Sequence, residues 1–209
     1  MFTYLLPHCD NFGYELSACQ IEDRIGPCQI GSLRHEFDQN ELFMIEAERA
    51  LGFRRMYTGV ASEHMPLNVF PDPTGRYQRI TQDMPREKLL AACRVAAIHV
   101  HVGMPDHNSA LRVYNKVITH LTRLCQMGDF SEGERLGIYK KMAPDYAPCS
   151  YGGWKDFHAE AVDKGFVQDP RQCWHLIRIS IHGTIEFRVF DSTDDIGLIE
   201  SWAKECRDL

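Results

Sequence analysis

From Ile177 to Val189 the chain alternates between apolar and polar residues. Ile177, Ile179, Ile181, Ile185, Phe187 and Val189 share one parity. Arg178, Ser180, His182, Thr184, Glu186 and Arg188 share the other. Successive side chains of a strand point to opposite faces, so a period of two predicts a strand or hairpin buried on one face. The second face carries one carboxylate, one imidazole, two hydroxyls and two cations. Both cations are Arg, the side chain suited to bidentate contact with carboxylate or phosphate. Gly183 interrupts the pattern and predicts a bend, a bulge or a tight turn.

A second stretch has the same grammar. In Ala97–Gly103, Ile98, Val100 and Val102 point one way and His99 and His101 the other. Two imidazoles at that spacing stand roughly 7 Å apart on one strand face, close enough to serve one ion or one ligand. Read alone, the pair is equally a pair of half-buried strand histidines. Beside the Glu186/Arg188 face it points to a site.

The 209 residues are enough for one domain spanning 1–209 with a proper core. Apolar content of 44% and charged content of 25% are those of a soluble globular protein. Net charge is −6 and no Lys/Arg-rich run occurs, which argues against a nucleic-acid partner or an anionic membrane surface. The apolar start Met1–Pro7 is short and lacks a basic flank, so it does not read as a signal peptide. No apolar run has the length of a membrane span. The eight cysteines form no C-x-x-C pair and read as reduced thiols of a cytoplasmic protein.

Phe12 to Ile25 reads as a first strand ended by Gly26-Pro27. Glu15 has the opposite parity to Gln20 and Glu22, so a bulge between them is needed to bring both glutamates to one site. Ser32–Leu51 reads as a helix with Leu33, Phe37, Leu42, Ile45 and Ala47 near one stripe and Gly52 as its C-cap. A strand is expected over Phe53–Ala61, followed by a loop through His64-Met-Pro66 and Pro71–Gly75. Helices are expected over Glu87–Val95, Asn108–Met127, Ser131–Met142, Trp154–Lys164 and Asp195–Cys206. Strands and helices do not alternate as in a doubly wound sheet, and no Gly-rich phosphate loop is present. The expected class is α+β, a mainly antiparallel sheet with helices on one face.

Four blocks together resemble the carboxylate-amine ligases related to bacterial-type glutamate–cysteine ligase, which share the glutamine synthetase catalytic fold. They are Glu15 to Glu22 with Arg24, His64-Met-Pro66 with Arg76-Tyr77, Ile98–Gly103, and Gly183–Arg188 with Asp191 and the preceding Arg178. The last two blocks are the specific ones, and the resemblance covers roughly Gly13 to Asp191. It implies a curved antiparallel sheet forming an open funnel. It also implies ATP with Mg²⁺ or Mn²⁺, an amino-acid-like carboxylate substrate that is phosphorylated, and an amine that displaces the phosphate to form an amide. By the resemblance Glu22, His99 and Glu186, with Glu15, would bind metal. His101 would bind nucleotide phosphate or brace a residue that does. Arg178 and Arg188, and more loosely Arg76, would hold the nucleotide phosphate or the substrate carboxylate during the reaction. The E-x-E strand that usually opens the family has no counterpart in Met1 to Phe12, whose sole acid is Asp10. The site would then be completed differently, for instance across the interface of a homo-oligomer. Two other readings stand beside this one. The chain could be a non-catalytic relative that binds nucleotide, metal or a protein partner. It could also be a Zn²⁺ or Fe²⁺ enzyme using His99, His101 and Glu186.

Overall fold

The computed structural model describes residues 2–5 and 10–209. Part of the apolar start and Cys9 lie outside the described residues. The elements run α1 (Phe2–Leu5), β1 (Phe12–Tyr14), β2 (Ile21–Asp23), α2 (Leu33–Leu51), α3 (Arg76–Thr81), α4 (Arg86–Arg94) and β3 (Ala97–Gly103). There follow α5 (His107–Val117), α6 (Leu121–Met127), α7 (Glu134–Met142), α8 (Trp154–Asp163), β4 (Ile177–Ile179), β5 (Thr184–Asp191) and α9 (Ile196–Asp208). The strands form two small antiparallel sheets, β1-β2 and β3-β5-β4. The class is α+β, as the pattern of the sequence indicates.

The long alternating stretch is a hairpin, not one strand. Arg178 pairs with Glu186 and Ile179 with Ile185 across it. Gly183, at φ 71°, closes the turn, with the Ser180 N–H donating to Thr184 O and the Gly183 N–H to Ser180 O. A left-handed φ there costs glycine nothing. Ile181, placed in the core by the alternation, lies in this turn and is 59% exposed.

A second departure shifts parity. Along β3 and β5, Val100 faces Phe187 and Ile98 faces Phe190, so His99 stands opposite both Arg188 and Val189. This is a β-bulge, two residues of β5 against one of β3. After it Phe190 shares the face of Ile98, and its ring stacks on Trp202 of α9 at 4.7 Å. The bulge carbonyls are met by Arg135 of α7, whose Nη2 donates to Val189 O at 2.6 Å and whose Nη1 donates to Arg188 O at 3.5 Å. Its Nε donates to the Asp191 carboxylate, and both side chains are buried.

The core lies on one face of the β3-β5-β4 sheet. Val100, Ile185, Phe187 and Phe190 pack there with Tyr114, Leu124 and Trp202 of α5, α6 and α9. The expected Asn108–Met127 helix is α5 and α6 joined by a 3₁₀ turn at Ile118–His120. Asp106 caps α5 by accepting from the Ser109 N–H, and Asp195 caps α9 by accepting from the Leu198 N–H. In α2 the buried positions are Leu33, Asn40, Met44 and Ala47, a helical stripe ended by left-handed Gly52 as expected. Leu42 is off that stripe and 59% exposed. Buried Asn40 donates to Asp23 Oδ1 and Arg24 O and accepts from Asn11 Nδ2. These bonds fix α2 against the β1–β2 hairpin.

Two expected strands are not formed as such. Phe12–Ile25 folds into the β1–β2 hairpin, and its middle pairs with a different segment: Ala18 N–H donates to Asn68 O and Phe70 N–H to Leu16 O. Phe53–Ala61 makes only a bridge at Val60 to Val95. Arg55 there turns back to Glu41 and Glu48 of α2, which holds the segment against the helix and away from the sheet. Among the described residues the cysteines carry free thiols, and no helix is long and apolar enough to cross a membrane.

Gly128, after α6, sets the approach of that helix to β5. A Cβ there would lie 2.6 Å from Phe190 Cδ1 and 2.8 Å from Phe190 Cα. Gly128→Ala is therefore expected to destabilise the fold by about 1–3 kcal/mol, read as a lower urea midpoint. An unchanged midpoint would contradict this packing.

Candidate functional site

The face of the sheet away from the helices carries the polar side chains, and Glu186 of β5 is its centre. Cross-strand pairing places His101 of β3 on one side of Glu186 and Arg178 of β4 on the other. Arg178 donates from Nε to Glu186 Oε2 at 2.6 Å and from Nη2 to Oε1 at 3.1 Å, a bidentate pair. Arg188 Nη1 reaches Oε1 at 3.4 Å. The Glu186 side chain is 3% exposed. Burial would raise its carboxyl, but the Arg188 and Arg178 guanidiniums outweigh that and hold it down at about 2. Arg178 is further fixed by Nη1 donating to Cys173 O at 2.7 Å. Arg188 lies over the Trp174 ring at 5.7 Å, and its buried Nε has no acceptor among the described residues.

The two histidines differ in their settings. His99, opposite the bulge, has Nδ1 3.7 Å from Glu186 Oε1 and remains a third open to solvent. His101 Nδ1 shares a hydrogen with Thr184 Oγ1 at 2.8 Å, and Thr184 meets Ser180 Oγ at 2.8 Å. Desolvation pushes both imidazoles below their ordinary range, helped by Arg188 at His99 and Arg178 at His101.

Glu15 lies in the turn of the β1–β2 hairpin and Glu22 in β2. Burial and the nearby charge of Glu22 push the Glu15 carboxyl up to about 7, against the pull of Arg188. Burial likewise raises Glu22, Arg24 opposes, and Glu186 adds to the rise. Glu15, Glu22, Arg188 and Glu186 thus share one neighbourhood. Glu22 also pairs with Arg24 at 3.6 Å. The expected metal donors Glu15, Glu22, His99 and Glu186 are not gathered as a metal centre. Among the described residues no group of three or more His, Cys, Asp or Glu is placed to hold an ion. Guanidiniums take both Glu186 oxygens, so as arranged the residues do not fit a divalent cation.

Arg76 and Tyr77 open α3 at the rim. The Asp72 carboxylate accepts from the backbone N–H groups of Thr74, Arg76 and Tyr77 and from the Thr74 hydroxyl. The Tyr77 hydroxyl donates to Tyr14 O at 3.3 Å, beside Glu15. Arg76 Nε donates to Asp169 Oδ2 at 3.2 Å, so Arg76 faces the 169–173 segment and not Glu186. His64 is exposed, and its N–H donates to Ser62 Oγ. Sequence reasoning placed Thr184 on the polar face but missed Asp72, Asp169, Arg171 and Trp174. Only Asp72 had a local signal, since Asp between prolines with Thr two residues on is an Asx-turn pattern.

A cleft of about 410 Å³ opens beside the tip of the β4–β5 hairpin. Trp154 and Phe157 of α8, with His107, Ile179 and Ile181, form its walls, and Ser180 links it to the Thr184–His101 chain.

Burial would raise the Asp72 carboxyl, but the Thr74 hydroxyl and the three backbone N–H groups outweigh it and hold it at about 2. Its unfolded value is about 4. Its contribution is therefore present above pH ~4 and lost as pH falls through ~2. Wild type should exceed Asp72→Asn in stability most clearly above pH ~4. That gap should close in acid, as followed by urea melts at stepped pH. A gap independent of pH would refute the assignment.

Comparison with known proteins finds relatives that share one kind of name. A protein of Rhodococcus jostii named "Putative glutamate--cysteine ligase 2-3" is 25% identical over 200 residues, covering 85% of this chain and 24% of that protein. One from Gloeobacter violaceus named "Putative glutamate--cysteine ligase 2" is 28% identical over 114 residues, 48% of this chain and 31% of that protein. The "Glutamate--cysteine ligase" of Halobacterium salinarum is 26% identical over 123 residues, 52% of this chain and 34% of that protein. The chain thus spans about a quarter to a third of the length of these relatives. No family model and no solved structure matches. Through these homologues the chain is a relative of the glutamate–cysteine ligase-like family that its strands resemble.

Proposed function

We propose that this chain forms the substrate-activating face of an ATP-dependent carboxylate–amine ligase of glutamate–cysteine ligase type, on a glutamine synthetase-like sheet. The observation that carries the reading is the Glu186 cluster. Two guanidiniums are held by one buried carboxylate, and among the described residues Arg188 Nε has no acceptor. The three groups carry a formal excess of one positive charge on a rigid sheet. Such fixed donors stabilise charge that develops on a transferring phosphoryl group or a tetrahedral adduct.

In the proposed reaction a substrate carboxylate oxygen attacks the γ-phosphorus of ATP and ADP leaves. The amine nitrogen then attacks the acyl carbon, the carbon–oxygen bond to phosphate breaks, and the amine gives up a proton. Arg178 and Arg188 hold the oxygens that carry charge in both steps. The aromatic walls of Trp154 and Phe157 suit a base, with the Ser180–Thr184–His101 chain leading from that cleft to the phosphate side. Glutamate as the acid follows only the names of the relatives. The divalent ion implied by the resemblance has no assembled donor set here, so no step is drawn through it.

That same lack of a donor set supports a second reading, a relative that binds nucleotide or another anion without turnover. It lends nothing to a Zn²⁺ or Fe²⁺ enzyme built on His99, His101 and Glu186.

Thermal melts with ATP, with ATP plus Mg²⁺, and with EDTA test binding. Ligand at a hundred times its Kd stabilises by about 2.7 kcal/mol, several degrees for a domain of this size. ADP release is then followed with L-glutamate and a panel of amines. Release that needs both acid and amine establishes the ligase, and Arg178→Lys, which loses the bidentate fork, should lower it by at least about tenfold. A shift with no release selects the binding relative. No shift defeats both.

A further inference from the structure

The rim repeats the inner cluster in an exchangeable form. Asp169, like Glu186, is one carboxylate gripped by two arginines. Arg171 forks onto it, Nε to Oδ1 at 2.7 Å and Nη2 to Oδ2 at 3.1 Å, while Arg76 Nε approaches Oδ2 at 3.2 Å. The two arginines come from segments 93 positions apart in the chain, counted from Arg76 to Asp169. Asp72 fixes the Arg76 backbone from one side. Arg171 O accepts from Arg178 Nη1 at 3.4 Å on the other, so the rim pair stands directly above the inner one.

The two clusters differ in exposure. Glu186 is sealed at 3%, with Arg178 and Arg188 each at 12%. Asp169 is 27% exposed and Arg171 56%, while Arg76 is 17% exposed, so the open arm of the rim is Arg171. An ion pair that water reaches holds its partners weakly, whereas separating a buried one strands uncompensated charge. Among the described residues the terminal nitrogens of Arg76 make no hydrogen bond, and its guanidinium lies over the Tyr77 ring at 5.8 Å. The rim therefore has a carboxylate-shaped place, two cationic arms, spare donors, and an occupant from its own chain.

We propose that Arg76 and Arg171 form a binding site for the carboxylate of a small acid, and that Asp169 is a resident stand-in which the incoming carboxylate displaces. The anion is planar and bidentate, as Asp169 is, so an amino-acid α-carboxylate fits better than a tetrahedral oxyanion. The inference deepens the reading of the chain as a carboxylate–amine ligase and rests on it for the identity of the acid. The binding geometry stands on the rim residues alone.

The test is the affinity of the full chain for L-glutamate, by calorimetry, in wild type, Asp169→Asn and Arg171→Gln, each first shown to be folded by circular dichroism. Asn keeps the polar cap on Arg171 N–H and removes the competing charge. Asp169→Asn should bind L-glutamate about two- to fivefold more tightly than wild type, the range of an exposed ion pair. Arg171→Gln should bind it more weakly by a similar factor, and inorganic phosphate should not reproduce the gain in Asp169→Asn. If Asp169 only braces the loop, its replacement weakens binding. Weaker or unchanged affinity in Asp169→Asn, or unchanged affinity in Arg171→Gln, overturns the proposal, as does failure of both wild type and Asp169→Asn to bind L-glutamate. The ligase reading fails separately, through absence of ADP release in a protein that does bind the acid.

Discussion

The polar face of the sheet depends on one buried carboxylate. Glu186 sits on the central strand, so both neighbouring strands aim a side chain at it by register alone, His101 from β3 and Arg178 from β4. A lone carboxylate at 3% exposure costs several kcal/mol to desolvate. Arg178 offsets that cost through two hydrogen bonds, and Arg188, two residues along the same strand face, adds a third contact. The arrangement also settles the sign of its surplus charge. Two guanidiniums share one carboxylate, so the excess is positive, and the charge of Arg188 is felt at Glu15.

Beyond Arg188 the strand bulges. A regular β3–β5 ladder would carry the alternation through Asp191 and seat Val189 where Phe190 now packs. The extra residue leaves two strand carbonyls needing donors, and Arg135 supplies them while pairing with Asp191. Gly128 then allows α6 to approach Phe190 closely enough for the Asp191 N–H to reach Gly128 O at 2.8 Å. The buried Arg135–Asp191 pair therefore braces the strand backbone beside Arg188.

The local part of this was legible in the sequence, and the long-range part was not. Alternation marked β3 and the β4–β5 hairpin, and Gly183 marked the turn. The periods of α2, α4 and α9 with the Gly52 cap located those helices. A bulge changes parity without changing composition, so nothing in Val189-Phe190 announced it. The strand read at Phe53–Ala61 has a strand's composition, but Arg55 finds Glu41 and Glu48 before the segment can join a ladder. The single strand read over Phe12–Ile25 became a hairpin carrying Glu15 and Glu22, because residues 16–18 pair with 68–70. Asp169 with Arg76 is an encounter that no spacing encodes.

The two arginine–carboxylate clusters suggest how such a face can be both rigid and receptive. Preorganisation requires that the groups meeting developing charge do not move, and burial provides this for Arg178 and Arg188. Recognition of an incoming acid requires the reverse, since a cationic site with no counter-ion is costly and one with a sealed counter-ion is closed. An exposed internal carboxylate satisfies both demands at the rim. It offsets part of the charge of Arg76 and Arg171 while the site is empty, and it can retire to water when a second carboxylate arrives. The same interaction thus serves as scaffold where the sheet buries it and as a place-holder where a loop leaves it open.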